Sequence, residues 1–263
     1  MARTAARSGR TRRARGGRVV AATGVVGVLL ATTAACGSAA DDKHPDHRAF
    51  AVHGRTLTVD SDSSALEIVP AEGDQVKVTR WFHGTALIGK DPRATWSVRG
   101  DRLVLRVKCA GLIADCSARH RIEVPRGIGV TVEDHNGSVR AQGIKGELSI
   151  RTSNGSVRVT DSTGALTLKS NNGSVRATGV GSRRVHAETH NGPVHLELAA
   201  APELVEAASR NGSVSITVPR TGYRVTTDSH NGSVHVSVPR DAHSSHAVRA
   251  RTSNGSINVR TAD

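Results

Sequence analysis

Aromatic residues are scarce in this chain. Its 263 residues include two tryptophans, two phenylalanines, one tyrosine and a single methionine, whereas glycine occurs 27 times. A core centred on large rings is therefore excluded, and any core must be built from valine, leucine, isoleucine and alanine. This composition favours thin, stacked layers of β-strands. It also argues against a sugar-stacking cleft and against an aromatic platform for nucleic-acid bases.

Acidic residues are missing from the first 35 residues, which carry seven arginines. The whole chain has a formal charge of +13, but outside this segment 29 basic and 23 acidic residues leave only +6. Much of the basicity therefore belongs to a targeting segment, and we predict no nucleic-acid partner.

One long apolar run, "VVAATGVVGVLLATTAAC" at residues 19–36, follows these arginines. This is the layout of a secretory signal. The small residues before Cys36 resemble a bacterial lipobox, although Thr33 stands where lipoboxes favour leucine. The resemblance implies that a signal peptide (1–35) is removed and that a lipid on Cys36 anchors the protein at the outer face of the cytoplasmic membrane. An uncleaved anchor and plain secretion are the alternatives. The polar segment 36–49 is predicted to be a flexible tether.

Two further cysteines, Cys109 and Cys116, lie seven residues apart. Outside the cytoplasm such a pair is most simply a disulfide that closes a small loop. A redox or metal pair is the alternative, but the spacing is not Cys-x-x-Cys and only His120 lies nearby. We therefore predict a structural disulfide, and we predict neither a metal site nor a cofactor.

A short motif containing Asn-Gly recurs seven times, at intervals of 18 to 23 residues. Apolar residues stand six and four positions before each asparagine and three and five positions after it, with Thr227 as the exception. This period-two alternation predicts two half-buried strands joined at each Asn-Gly, where both residues tolerate the positive φ of a tight turn. The predicted turns are Asn136-Gly137, Asn154-Gly155, Asn172-Gly173, Asn191-Gly192, Asn211-Gly212, Asn231-Gly232 and Asn254-Gly255.

The same template extends towards the N-terminus. With Ser63 in the place of asparagine, residues 57–68 form a degenerate unit. We therefore predict irregular β coils with the disulfide loop over residues 50–128 and regular repeats over 129–263. A serine or threonine stands two positions before six of the asparagines, and Asp134 takes that place in the first unit. These side chains can hydrogen-bond to the backbone of the turn.

Two all-β folds fit this pattern. In a β-solenoid, or β-helix-like stack, each unit is one coil, and equivalent residues of successive coils lie about 4.8 Å apart. In an antiparallel meander or sandwich, each Asn-Gly would instead close a hairpin. The near-constant period favours the solenoid, because a meander of so many strands would have to close or leave long edges.

The segment 50–263 resembles the DUF4097 family of bacterial envelope proteins, which are proposed adhesins. The resemblance lies in the opening Phe50, Val52 and Gly54, in the passage "IEVPRGIGVTV" at 122–132 and in the "NGSVRV"-type turns. It implies a β-solenoid-like fold and no established catalytic activity.

One outward-facing position, four residues after each asparagine, is rich in cationic side chains. We expect this row to form a basic ladder that contacts an anionic cell-wall polymer, such as teichoic acid, or a membrane surface. A solvated face offset by nearby acids is the alternative interpretation. The candidate contact residues are Arg140, Arg158, Arg176, His195 and His235.

No catalytic motif is evident in the sequence. Acids are scattered, and neither a Ser-His-Asp arrangement nor a Gly-rich phosphate loop is present. We therefore predict a non-catalytic binding or adhesion scaffold. An accessory sensor subunit that reports envelope stress to a membrane signalling protein is the alternative, and a polysaccharide-acting enzyme is a weaker one.

Overall fold

The computed structural model describes residues 38–86, 89–111 and 114–262, which belong to one compact unit of the chain. This part contains a short 3-10 helix, Ala39–Asp41, and 21 β-strands. The strands are β1 (Asp46–Ala51), β2 (Thr56–Ser61), β3 (Ala65–Ala71), β4 (Gln75–Ala86), β5 (Gly89–Arg99), β6 (Arg102–Gly111), β7 (Ala114–Pro125), β8 (Gly129–Asp134), β9 (Val139–Gln142), β10 (Leu148–Thr152), β11 (Val157–Thr160), β12 (Leu166–Asn172), β13 (Val175–Val180), β14 (Arg184–Asn191), β15 (Val194–Leu198), β16 (Leu204–Asn211), β17 (Val214–Val218), β18 (Arg224–Asn231), β19 (Val234–Ser237), β20 (Ala247–Asn254) and β21 (Ile257–Thr261).

The strands form two sheets that face each other across one core. Sheet A has 11 strands in the order β1-β4-β7-β3-β9-β11-β13-β15-β17-β21-β19. Sheet B has 10 strands in the order β18-β20-β16-β14-β12-β10-β8-β2-β6-β5. Pairing is parallel except at the N-terminal end, where β4 runs antiparallel to β1 and β7, and β5 runs antiparallel to β6.

Each Asn-Gly unit contributes one strand to each sheet. The strand before the asparagine lies in sheet B and the strand after it lies in sheet A, so the two strands of a unit do not pair with each other. They pair in register with the equivalent strands of neighbouring units, as Leu148 with Leu166 and Val157 with Val175 show. The predicted β-solenoid is therefore confirmed, and the antiparallel meander is wrong.

The apolar positions of the repeat form the core. Ile150 and Val159 are fully buried, and their equivalents are buried along the stack except in the terminal coil, where Thr227 and Val236 are half-buried. Valine, leucine, isoleucine and alanine fill most of the narrow space between the two sheets, and Tyr223 is a fully buried aromatic residue in this core.

The last two units are out of sequence order. β20 lies between β16 and β18, and β21 lies between β17 and β19. The final coil of the sequence is thus inserted before the preceding one. The nine-residue connection 238–246 is long enough to carry the chain back past one coil, and it accounts for the longest interval between asparagines.

The degenerate unit around Ser63 is confirmed, because Leu57 pairs with Val130 and Leu66 pairs with Val139. Both sheets continue through the predicted boundary between 50–128 and 129–263, so these two segments share one core.

The predicted flexible tether extends too far. Residues 46–49 already belong to β1 and pair with Lys77–Arg80 of β4. Most side chains of β1 are exposed, so backbone pairing rather than apolar alternation holds this strand, and the sequence pattern gives no sign of it.

Candidate functional site

A ladder of asparagine side chains runs along one edge of the solenoid. Except for Asn136 at one end, the Nδ2 of each asparagine donates a hydrogen bond to the Oδ1 of an asparagine in the adjacent coil, and the six bonds measure 2.7 to 2.9 Å. An amide can donate in one direction of the stack and accept from the other, which explains the repetition of asparagine. The order of the ladder is Asn136, Asn154, Asn172, Asn191, Asn211, Asn254 and Asn231.

The glycines after these asparagines pack backbone against backbone. A Cβ on Gly155 would lie well inside van der Waals contact of the Gly137 carbonyl, and the same holds along the column. Positive φ, the reason expected from the sequence, occurs at only three of these seven glycines: Gly192, Gly232 and Gly255. Close approach between coils is therefore the more general reason for glycine at this position.

Buried hydroxyl groups tie the turns together. Ser170 Oγ donates to the Gly155 carbonyl at 2.9 Å, and equivalent residues repeat this bond in other coils. In the first regular unit Asp134 instead accepts a 2.6 Å bond from the Gly137 amide. Burial raises the pKa of Asp134, although hydrogen bonds to its carboxylate act in the opposite direction.

We expect Asn172→Ala to lower the free energy of unfolding by about 1–2 kcal/mol, because it removes one donated and one accepted ladder bond. Asn231→Ala is the matched control, since Asn231 ends the ladder with one bond, and it should cost about half as much. Urea denaturation measures both values. Equal losses for the two variants would show that stability does not depend on the number of ladder bonds removed.

Arg140, Arg158 and Arg176 form a row on the outer face of sheet A. They occupy equivalent positions of β9, β11 and β13, which pair in register. All three side chains are exposed. Because neighbouring strands lie about 4.8 Å apart, the three guanidinium groups stand in a line about 10 Å long. Like charges directly across strands destabilise a sheet, so this row has an energetic cost.

The arginine row is not ion-paired within the part of the chain that the structure describes. Within the described residues, none of the three arginines takes part in a salt bridge. Glu67 is paired in register with Arg140, but its carboxylate binds Arg119 at 2.6 Å and Arg121 at 3.3 Å. The positive charge of the row is therefore available to an external anion.

Neutral polar side chains flank the arginine row. Ser138, Ser156 and Ser174 lie on the turn side and line a shallow groove of about 180 Å³ together with the arginines. Gln142 and Thr160 lie on the other side, along a second groove of about 240 Å³ that Glu67 also lines. Hydroxyl and amide groups beside guanidinium groups provide further donors for the oxygen atoms of a phosphate or sulfate.

The two predicted histidines of the row differ in position. His195 is adjacent to Arg176, and burial, together with the charge of Arg176, lowers its pKa, so it is neutral at neutral pH. His235 lies at the end of the stack, because the strands of Ser215 and Asn258 separate it from His195. The inserted coil adds Asn258 to the Ser215 that the repeat already places between the two histidines, so His235 lies one coil farther from the arginines than the sequence order predicts.

Sheet B presents a different outer face, on which ion pairs link neighbouring coils. Lys169 binds Glu188 at 2.8 Å, and Arg249 binds Glu206 at 2.9 Å. His186 lies between the two glutamates, 3.6 and 3.5 Å from them. The partners hold the pKa of both glutamates below the ordinary value. The alternative interpretation from the sequence, a solvated face offset by nearby acids, therefore fits the outer face of sheet B.

Residues 126–262, more than half of the chain, match the family described as Toastrack DUF4097. The chain belongs to the Toastrack DUF4097 family. No curated protein matches it.

Several solved structures resemble this Toastrack chain at low identity. A proposed adhesin from Bacteroides fragilis NCTC 9343 is 13% identical, with a TM-score of 0.46 over 84% of this chain and 98% of its own. A proposed adhesin from Parabacteroides merdae ATCC 43184 is 10% identical, with a TM-score of 0.45 over 86% and 99%. A proposed lipid-binding protein from Parabacteroides distasonis ATCC 8503 is 10% identical, with a TM-score of 0.39 over 86% and 99%. These likenesses carry no argument about function.

The remaining sequence motifs of the Toastrack chain have structural roles. The predicted disulfide between Cys109 and Cys116 is present and links β6 to β7. In the Arg99-Gly100-Asp101 turn, the Asp101 carboxylate accepts hydrogen bonds from two backbone amides, at 2.7 Å each. The predicted signal peptide and Cys36 lie outside the described residues. Across 38–86, 89–111 and 114–262, no helix is long and apolar enough to cross a membrane.

Metal-ligand clusters are not found in the part of the chain that the structure describes. His135, His190 and His230 precede the first, fourth and seventh asparagines of the ladder, so they belong to well-separated coils.

Proposed function

We propose that this Toastrack protein is an extracytoplasmic binding scaffold, anchored to the membrane through Cys36. Its arginine row, Arg140, Arg158 and Arg176, binds a ligand with closely spaced phosphate groups. Such phosphates are found in an anionic cell-wall polymer and in an anionic lipid surface. The observation that supports the proposal is a line of three exposed arginines on the outer face of sheet A, bordered by hydrogen-bond donors and without salt bridges to any described residue.

The shape of the site favours an extended ligand. The grooves beside the arginines are shallow and follow the stacking direction, so successive anionic groups of a polymer can meet successive guanidinium groups. Each guanidinium can make two parallel hydrogen bonds to a phosphate. Single contacts of this exposed kind are weak, and affinity arises from several made together.

We expect the triple variant Arg140→Gln, Arg158→Gln, Arg176→Gln to bind a polyglycerol-phosphate polymer or anionic vesicles about tenfold or more weakly. With three phosphate contacts, the affinity of the unmodified protein should fall about 20-fold between 50 and 200 mM salt, if counterion release follows the slope for single-stranded nucleic acids. The variant should lose most of this salt dependence. Calorimetry on the polymer and sedimentation with vesicles measure the two sources of phosphate separately.

A second triple variant controls for net charge. Arg99, Arg151 and Arg210 are also exposed and lack salt bridges among the described residues, but they lie on strands of sheet B. Their replacement by glutamine should leave binding nearly unchanged. If both triple variants lost the same amount of affinity, overall charge rather than the arginine row would explain the binding. Capture of a membrane protein alone, with no binding to polymer or vesicles, would favour the accessory-sensor alternative.

A further inference from the structure

The seven Asn-Gly sequences of the ladder are chemically labile as well as structural. In such a sequence the backbone nitrogen of the glycine can attack the side-chain Cγ of the asparagine, because glycine has no Cβ to hinder the approach. The product is a cyclic imide, which water opens to aspartate or isoaspartate. Each Asn-Gly is therefore a candidate site of deamidation, and its surroundings decide how fast it reacts.

The stacked fold protects the interior Asn-Gly sequences in two ways. An interior asparagine makes two ladder bonds, and both must break before its Cγ can turn towards the following nitrogen. The attacking amide is also engaged: it donates to an asparagine carbonyl of the adjacent coil at 2.9 or 3.0 Å in Gly173, Gly192, Gly212 and Gly255. The Gly155 amide makes no such bond to a described residue, but Asn154 keeps both ladder bonds.

Asn231, in the last coil of the stack, lacks both kinds of protection. Its Nδ2 donates to Asn254 at 2.9 Å, but its Oδ1 accepts no hydrogen bond from a described residue. The Gly232 amide donates to no residue in the part of the chain that the structure describes. Both Asn231 and Gly232 are exposed. A single ladder bond therefore restrains this side chain, and the nitrogen that would attack it is free.

The coil that contains Asn231 is also loosely covered. Its strands β18 and β19 pair with β20 and β21 on one side only, and Val234 is 45% exposed. The 238–246 connection bonds to Tyr223 and Arg224, at the opposite end of β18 from Asn231. Local opening costs little where apolar contacts are few and backbone groups are exposed, and ring closure at Asn231 requires such opening.

Asn136, at the other end of the ladder, provides an internal comparison. It also has a single ladder bond. Its glycine, however, is restrained, because the Gly137 amide donates to the Asp134 carboxylate at 2.6 Å. The amide nitrogen must lose its proton before it can attack, and a carboxylate so close opposes the negative charge that results. Asn136 is therefore protected in spite of its terminal position.

We propose that Asn231 is the site at which the asparagine ladder is first modified, by spontaneous deamidation, and that the modification proceeds inward from this end. The Gly232 nitrogen forms a bond to Asn231 Cγ, the Cγ–Nδ2 bond breaks, and ammonia leaves with the proton of the Gly232 amide. Water then cleaves one of the two imide C–N bonds. The product has no Nδ2, so Asn254 becomes the next asparagine with a single ladder bond. This inference does not depend on the proposed ligand.

Peptide mapping tests the order of modification. Trypsin places the seven asparagines in seven different peptides, so mass spectrometry can follow each site separately. The protein is incubated in mildly alkaline buffer, folded and in urea, and the ratio of the two rates gives the protection at each site. Asn231 should be protected about tenfold less than Asn172 and Asn191, because fewer hydrogen bonds must break. Asn136 should lie between these values.

A variant of Asp134 tests the role of the attacking amide. Asp134→Ser introduces a residue type that the other units carry at this position, and it removes the carboxylate that binds the Gly137 amide. The rate at Asn136 should rise about tenfold, whereas the rate at Asn231 should not change. An unchanged rate at Asn136 would show that the engaged amide gives no protection and would overturn this part of the argument.

A variant of Asn231 tests the inward progression. Asn231→Asp reproduces a product of the reaction and removes the last donor of the ladder, so the rate at Asn254 should rise about fivefold. An unchanged rate at Asn254 would overturn the progression. The assignment of the first site is overturned if, in the protein without substitutions, Asn231 is protected as well as Asn172, or if Asn136 is modified before it.

Discussion

Replacing Gly155 with alanine is expected to lower the free energy of unfolding by about 3 kcal/mol or more. The new Cβ would overlap the carbonyl oxygen and carbon of Gly137 in the adjacent coil. Both are backbone atoms, so relief requires the two coils to separate. Separation would stretch the neighbouring ladder bond between Asn154 and Asn136 and the in-register pairing of β9 with β11. Chemical denaturation of both proteins measures the loss.

Gly127→Ala is the control that separates crowding from backbone conformation. Gly127 has a φ of +86°, but a Cβ there would meet no atom within 4 Å. Its replacement should therefore cost only the strain of a positive φ, about 1–2 kcal/mol. If Gly155→Ala were no more harmful than Gly127→Ala, close approach between coils would not be the reason for the glycine column.

The inward positions of the solenoid could be predicted from the sequence because they depend on a local property, apolar alternation. The pattern identified both strands of every repeat and also the degenerate unit around Ser63, where serine replaces asparagine. It could not distinguish a coil from a hairpin, since both place the same side chains on one face. Asn-Gly is a strong hairpin signal, yet here its residues serve contacts between coils, which only the stacked structure shows.

The remaining features could not be predicted because they depend on contacts between residues that are far apart in the sequence. The position of the inserted coil depends on the length of the 238–246 connection and on the sheet edge at which the following strands pair. The alternation of apolar residues within a strand contains no information about these two properties. The same insertion places His235 one coil farther from the arginine row than its position in the repeat predicts. Whether the arginine row is neutralised also depends on distant partners: Glu67 is paired with Arg140 in register, but Arg119 and Arg121 bind its carboxylate.

Acidification is expected to destabilise the protein through His120. This residue is fully buried on β7, and neither of its ring nitrogens has a hydrogen-bond partner among the described residues. Its surroundings include the Trp96 ring, with a centroid 6.5 Å away, and Arg80, whose guanidinium lies 4.4 Å from the centroid of the same ring. Burial, with a smaller contribution from the charge of Arg80, lowers the pKa of His120 from 6.5 to about 4.

The direction of the effect follows from proton binding. The unfolded chain takes up a proton on His120 near pH 6.5, whereas the folded protein resists protonation until about pH 4. The stability associated with neutral His120 is therefore complete above pH 6.5 and is lost as the pH falls through this window. The shift corresponds to about 3 kcal/mol. Denaturation midpoints measured between neutral pH and pH 4 give the loss.

A leucine at this position isolates the contribution of His120 from that of the carboxylates, which titrate in the same range. His120→Leu should be about as stable as the unmodified protein at neutral pH, because leucine fits an apolar site and leaves no ring nitrogen unpaired. Near pH 4 it should be more stable by about 3 kcal/mol. His230→Leu, at an exposed position, should follow the unmodified protein throughout. Parallel acid curves for the unmodified protein and His120→Leu would show that the buried imidazole does not set the acid limit, and the explanation would then lie with carboxylates whose pKa is lowered in the folded protein, such as Asp60 beside Arg106 and Arg102.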